Sequence, residues 1–264
     1  MATDDKKRSS KHRPRGVEIL HEDRDVIVIC KEAGVLSTPT RRDESFTAET
    51  VLTNYLRKGC ARSRNQAYLV HRLDRETSGV MIFAKTPEAQ ETLKNNWKNN
   101  EKIYVAIVRG HLKDKKGLLT SYLAENEDQF VHSVDNPDQG KLSQTEYDVL
   151  AENATQSLLR IRLLTGRKNQ IRVQFSEAGH PIVGDPKYGK NDPLRERLCL
   201  HAQAFAFDHP YSGKRLCFEA PLPAVFTRLF PQVKSESLSG RPTRLNPMEK
   251  PAKQTPPADD CLNG

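Results

Sequence analysis

The sequence predicts an α+β fold, a mostly antiparallel sheet with peripheral helices and loops, and two observations carry that prediction. Short runs rich in Val, Ile, Leu and Phe recur between polar turns, with only a few amphipathic helical segments among them. The links between the runs are too short for repeated βαβ crossovers, so neighbouring strands must mostly run antiparallel.

VEIL (17–20) and DVIVIC (25–30) read as strands joined by the polar turn HEDR. TAETVLTNYLRKG (47–59) reads as a helix ending on Gly59, since glycine adopts the left-handed C-terminal conformation without penalty. SGVMIFAK (78–85) is a buried strand. Thr86 and Pro87 supply an N-cap and a first-turn proline for the helix PEAQETLKNNWKNN. KIYVAIVRG (102–110) returns as a strand, and further strands are expected at 117–124, 143–151, 155–164, 198–207 and 214–219. KNQIRVQFSEAG (168–179) spaces Ile171, Phe175 and Ala178 at i, i+4 and i+7 and ends on Gly179, which describes a helix with one apolar face. Gln170 and Arg172 fall off that face, leaving Arg172 free to reach a partner. No internal repeat is present.

The chain has 264 residues, 36% hydrophobic and 29% charged, enough apolar material for a sizeable core. No apolar run approaches the roughly 20 residues that span a bilayer. The first residues, MATDDKKRSSKHRPRG, lack the apolar region of a secretory signal. Five cysteines, Cys30, Cys60, Cys199, Cys217 and Cys261, are odd in number and scattered, and with eight histidines they complete no metal-ligand spacing. Reduced thiols, a cytoplasmic location, no membrane partner and no metal are the expectation. Of the net charge of +8, residues 1–15 carry +4, residues 232–264 carry +1 and the body +3. A preference for polyanions therefore leans on the basic arm and on local clusters. The arm (1–15) and the Pro-rich tail (232–264) have too little apolar periodicity to offset their ordering entropy and are expected to be disordered. That leaves residues 16–231 as one domain.

HRLDRETSG (71–79) places Asp74 between Arg72 and Arg75. Alone it reads as a solvated turn or a capped entry into the apolar run VMIFA. Two more segments stand beside it: KIYVAIVRG, where alternation turns Tyr104 away from Ile103 and Val105, and TGRKNQIRVQFSEAGHPIVGDPKYG (165–189). In order, EILHEDRDVIVICKEAG, HRLDRETSG, KIYVAIVRG, TGRKNQIRVQ, GHPIVGDPKYG and LCLHAQAFAFDHP resemble the signature blocks of the RluA-type family of RNA pseudouridine synthases, over roughly residues 17–225.

The resemblance implies the family's α+β fold on a bisected antiparallel sheet, a catalytic role for Asp74, a tyrosine against the target base at Tyr104 and a basic partner for the aspartate at Arg172. It implies ribosomal or transfer RNA as substrate. Isomerising uridine breaks the N-glycosidic bond, turns the uracil and rejoins it through carbon 5, with no change of oxidation state, so no cofactor is expected. An ionised carboxylate can attack carbon, stabilise an oxocarbenium-like centre or take a proton from the sugar. A cation beside it favours that ionised form against the effect of burial, which is the physical reason to pair Asp74 with Arg172. The base must leave its stack, which costs a few kcal/mol. Arg72, Arg75, Arg167 and Lys168 are the candidates to hold phosphates or fill the vacated space.

Thr77, Ser78 and Gly79 are read as shaping the loop, Asp185 as a turn or capping group, His71 and His201 as hydrogen-bonded structural histidines, and Cys199 as buried filler. The chain departs from the family pattern twice. Glu32 stands where proline is usual in K-P-A-G, which should loosen that turn. Asn169 stands where histidine is common, keeping a donor and an acceptor but no titratable proton. About 16 residues precede the first strand, too few for the small RNA-binding domain of some members, and a monomer without an obligate protein partner is the default. An RNA-binding or ribosome-assembly factor without turnover is the runner-up, and the Asp74, Tyr104 and Arg172 set argues against it. A carbohydrate hydrolase would need a second carboxylate at the site.

Overall fold

A computed structural model describes residues 14–40, 46–60, 62–189 and 196–233. The expected disordered arm and tail fall almost wholly outside the described residues. The chain forms β1 (Val17–Glu22), β2 (Val26–Lys31), α1 (Ala48–Arg57), β3 (Tyr68–Leu69), β4 (Ser78–Ala84), α2 (Pro87–Asn95), β5 (Glu101–Arg109), β6 (Lys116–Glu125), β7 (Val131–Val134), β8 (Lys141–Glu152), β9 (Gln156–Leu163), α3 (Gln170–Glu177), β10 (Leu200–Asp208), β11 (Arg215–Glu219) and α4 (Ala224–Leu229).

Local signals act as expected at the start of α2, and the other ends add or shift a cap. Thr86 caps α2 with Pro87 in its first turn, and Thr47 and Thr50 close a capping box on α1. The left-handed turn after α1 begins one residue before Gly59, at Lys58. The helix expected over PEAQETLKNNWKNN stops at Asn95 and continues as a 3-10 turn, Trp97–Asn99. The short strands β3 and β7 and the helix α4 carry too few residues for a periodic signal and were not anticipated.

The strands make one sheet in the order β1-β2-β4-β10-β5-β9-β8-β6-β7, with β3 added to β4 and β11 to β10. All pairings between these strands are antiparallel except β4 with β10, a parallel seam of two residue pairs, Ser78 with His201 and Gly79 with Ala202. On its other side Ala202 pairs with Tyr104 of β5. Gly79, Ala202 and Tyr104 thus lie abreast across three strands, so the seam carries the end of the HRLDRETSG loop to Tyr104. Every residue of β4 is buried, as a central strand covered on both faces requires.

The seam depends on glycine. Gly79 has φ +121°, and a Cβ there would lie 2.2 Å from the carbonyl oxygen of Ala202. Neither backbone can yield without opening the sheet. Gly79→Ala is expected to cost at least ~3 kcal/mol from overpacking and backbone strain together. Urea denaturation reads the loss, and an unchanged midpoint would refute this account of the seam.

Candidate active site

Asp74, Tyr104, Arg172, Arg72 and Arg167 line one pocket, with Thr77, Asn169 and Gln170 among the other walls. The HRLDRETSG loop supplies the first wall, β5 the second and the start of α3 with its preceding loop the third. Asp74 and Tyr104 are part-exposed, and Arg172 is buried.

The loop bearing Asp74 is held from both sides by the segment after β2. Ser37 Oγ donates to Leu73 O at 2.6 Å and accepts from Leu73 N at 3.0 Å. Beyond Asp74, Arg75 O accepts from Gly34 N at 2.8 Å and from Lys31 Nζ at 3.1 Å. Arg75 Nε returns a bond to Gly34 O at 3.1 Å. Where the family has proline in the turn KEAG, Glu32 N donates to Gly16 O at 3.0 Å, a tie proline cannot make.

Lys31 is fully buried and donates also to Glu32 O and Val35 O. Its role escaped the sequence reading, although a lysine closing an apolar strand was a visible signal. Burial drives its pKa down to about 7, with Arg197 adding to the effect and Glu76 and Asp74 opposing it. Below about pH 7 both the folded and unfolded chains hold this proton and the burial penalty is present in full. Between about pH 7 and the usual lysine range near 10.5 only the unfolded chain holds it. Stability therefore rises with pH across that window, by up to ~1.4 kcal/mol per pH unit. Wild type should gain on Lys31→Met in urea unfolding as pH is raised through the window. Parallel stability curves would count against it.

Arg172 departs from expectation. Helix α3 is buried from Gln170 to Phe175, polar positions included, so Arg172 is not free on an outer face. Side-chain bonds make that burial tolerable. Gln170 Oε1 accepts from Arg167 N and Thr165 Oγ1, its Nε2 donates to Gln144 O and Thr145 Oγ1, and Gln174 bonds Ser121, Ser143 and Thr145. Arg172 makes a two-pronged ion pair with Asp185, Nε to Oδ2 and Nη2 to Oδ1, both at 2.8 Å. Its Nη1 donates to Asn169 Oδ1 at 2.9 Å and reaches Asp74 Oδ2 only at 3.4 Å. The partner of Arg172 is first Asp185, and Asp74 is second.

Burial works against the charge of Arg172, but the bonds and charge of Asp185, then the charge of Asp74, more than offset it and hold its pKa above the ordinary value. Burial pushes Asp185 up, and the Arg172 pair and the Tyr188 and Lys187 amides outweigh it, so its carboxyl sits below the usual range. Asp185 is thus the turn cap expected of it, accepting from Lys187 N and Tyr188 N, and an arginine anchor as well. Asn169 uses both ends of its amide, Nδ2 to Tyr188 Oη and Oδ1 from Arg172, and its φ of +54° suits asparagine. Burial, then the charge of Asp74, raises Tyr104 and keeps its phenol neutral. Thr77 Oγ1 is buried beside the pocket and has no partner among the described residues.

Two expected RNA-binding residues stand outside the pocket. Arg75 is exposed and tied to Gly34, and Lys168 pairs with Glu125 beside a neighbouring groove that Arg167 also lines. The histidines behave structurally. His71 Nε2 accepts from Ile82 N and His201 Nδ1 meets Ser78 Oγ, and burial foremost drives both to about 3. Asp23, Asp25 and His209 bring potential metal-ligand atoms within 4.8 Å, a cluster the spacing did not reveal. His209 Nδ1 accepts from Tyr211 N and Ser212 N, which puts its ring hydrogen on Nε2, facing Asp23 Oδ2 at 3.2 Å. That geometry is a tie between two turns, since a metal-bound histidine uses its other nitrogen as a donor.

A family model described as RNA pseudouridylate synthase matches residues 25–177. The chain is 34% identical over 219 residues to the uncharacterized RNA pseudouridine synthase YjbO of Bacillus subtilis, covering 82% of this chain and 76% of that one. It is 36% identical over 209 residues to the dual-specificity RNA pseudouridine synthase RluA of Escherichia coli, covering 77% and 92%. With the ribosomal large subunit pseudouridine synthase D of Nitrosomonas europaea it shares 34% over 223 residues, covering 78% and 62%. Its fold is similar to that of human RNA pseudouridylate synthase domain containing 4, with a TM-score of 0.67 at 23% identity over 83% of this chain and 92% of that one.

Proposed function

The chain belongs to the RluA-type family of RNA pseudouridine synthases, and from that membership we propose that it isomerises uridine in ribosomal RNA with Asp74 as the catalytic carboxylate and no cofactor. The enzyme class, an RNA-modifying isomerase, follows from the family. The choice of ribosomal RNA rests on the named target of one relative, and transfer RNA is the alternative outcome of the same test.

The observation that carries the reading is the meeting of Asp74, Tyr104 and Arg172 in one pocket. The reaction breaks the bond between C1′ and N1, turns the uracil, joins C1′ to C5, releases the C5 proton and leaves N1 carrying a proton in exchange. Asp74, part-exposed and facing a fixed guanidinium, is the one carboxylate on the pocket wall among the described residues. It acts at the sugar, by attack at C1′, by stabilising positive charge there or by taking a sugar proton. Tyr104 offers an uncharged ring for the base to face. Arg72 enters the space the base vacates, and Arg75, Arg167 and Lys168 hold backbone phosphates. Residues 16–231 form the catalytic domain in this reading, acting in the cytoplasm as a monomer.

A pseudouridine map of total RNA from cells with and without the chain tests the proposal. Sites lost on deletion and restored by wild type but not by Asp74→Asn support it and identify the RNA. A map unchanged by deletion, together with no product from purified protein on unmodified ribosomal RNA, sinks it.

A further inference from the structure

Lys102 sits two residues before Tyr104 on β5, where the facing strand β10 shifts register between Ala202 and Ala204. Its residue is only 8% exposed, yet no hydrogen-bond acceptor or acidic partner meets its ammonium among the described residues. Its nearest companions are unsuited to neutralise it. The Trp97 ring lies 5.3 Å below Nζ, and His71, stacked on Phe205 nearby, is held neutral. A Cβ placed on Gly166 would lie 3.5 Å from Nζ, which puts the TGRK loop against it. The charge that acts on Lys102 is that of Arg167, a second cation, which with burial lowers its pKa. Arg167 is exposed, lines the catalytic pocket and spends its Nε on Leu142 O.

The Lys102 stem is packed away while its Nζ keeps a path to solvent, so the ammonium is presented without a counter-charge and with a second cation in its neighbourhood. A contact with an indole ring is a weak substitute for an anion. Elsewhere in this chain buried charge is met: Arg172 by Asp185, Lys31 by three carbonyls. We propose that Lys102 and Arg167 form a phosphate-binding site at the rim of the catalytic pocket, which takes a backbone phosphate of the RNA next to the nucleotide that enters. The chemical class of the ligand rests on the RNA reading above. The approach of the 165–168 loop to Lys102 rests on geometry alone.

The probe is a fluorescently labelled oligouridylate, titrated against the full chain across a salt series. Lys102→Met is expected to weaken binding roughly tenfold near physiological salt and to reduce the slope of log affinity against log salt by about 0.7, one phosphate contact on a single strand. Lys102→Arg should restore the slope. Because the substitution removes an unpaired charge, Lys102→Met should leave the Tm unchanged or raised, which a merely structural lysine would not do. An unchanged salt slope in Lys102→Met overturns the site. Should that variant not fold, acetylation of the wild type read by mass spectrometry decides: Lys102 protected by oligouridylate supports the site, and equal labelling with and without it overturns it. Protection in a chain that makes no pseudouridine would sink the proposed function and leave the phosphate site standing.

Discussion

Asp74→Asn is expected to fold, to bind RNA as the parent chain does, and to lose pseudouridine formation by on the order of 10⁴-fold or more. Asparagine keeps the shape of the side chain and an oxygen that Arg172 Nη1 can still meet, but it has no negative charge to place at the sugar. Stability should hardly move, because the charge of Arg172 is met first by Asp185, at 2.8 Å on both prongs, and only secondarily by Asp74 at 3.4 Å. Two readouts are therefore needed together: product per enzyme on unmodified ribosomal RNA, and the urea midpoint. Product at the wild-type rate would remove Asp74 from the chemistry. A large fall in the midpoint would instead show that Asp74 is a main partner of Arg172, contrary to the geometry.

Asp185→Asn should do the reverse, with its first effect on stability. The asparagine oxygen can still accept from Lys187 N and Tyr188 N, so the turn survives. The guanidinium of Arg172 loses its full counter-charge inside the protein, which typically costs ~3–5 kcal/mol. The sign with pH follows from the lowered carboxyl of Asp185. Its contribution is present in full above the ordinary carboxylate range and is lost as pH falls through the lower folded value, so wild type and variant should converge in strongly acidic urea titrations. Activity should fall as well, on the order of 10²-fold, because an Arg172 released from its anchor no longer holds its place beside Asp74. A variant with the parent midpoint and rate would show that Asp185 anchors nothing.

These contrasts mark where reading along the chain stops. Asp74, Tyr104 and Arg172 could be singled out as candidates because each lies in a short string whose order along the chain is itself informative, and the three line one pocket. Most strands were legible from alternation and apolar runs, and two helices from their caps. Helix α3 was legible as a helix with Arg172 off its apolar face and free to reach a partner, but not the burial of its glutamine and arginine by bonds to β6, β8 and the 181–189 segment. Glu32 was read as a loosened turn because a missing proline is visible in sequence, whereas the amide bond it makes to Gly16 is not.

By itself the sequence determined the strand and helix runs, their caps, the family and the residue types of the site, since alternation, capping and motif order act over a few neighbouring positions. Only the tertiary structure decided that Arg172 answers to Asp185 before Asp74, that Lys31 grips the loop bearing Asp74 from 44 positions away, and that Lys102 meets no acidic partner among the described residues. Those pairings follow from which strands lie side by side, above all the parallel seam of β4 with β10, and charge partners are set by distance in space, which the order of residues along the chain does not encode.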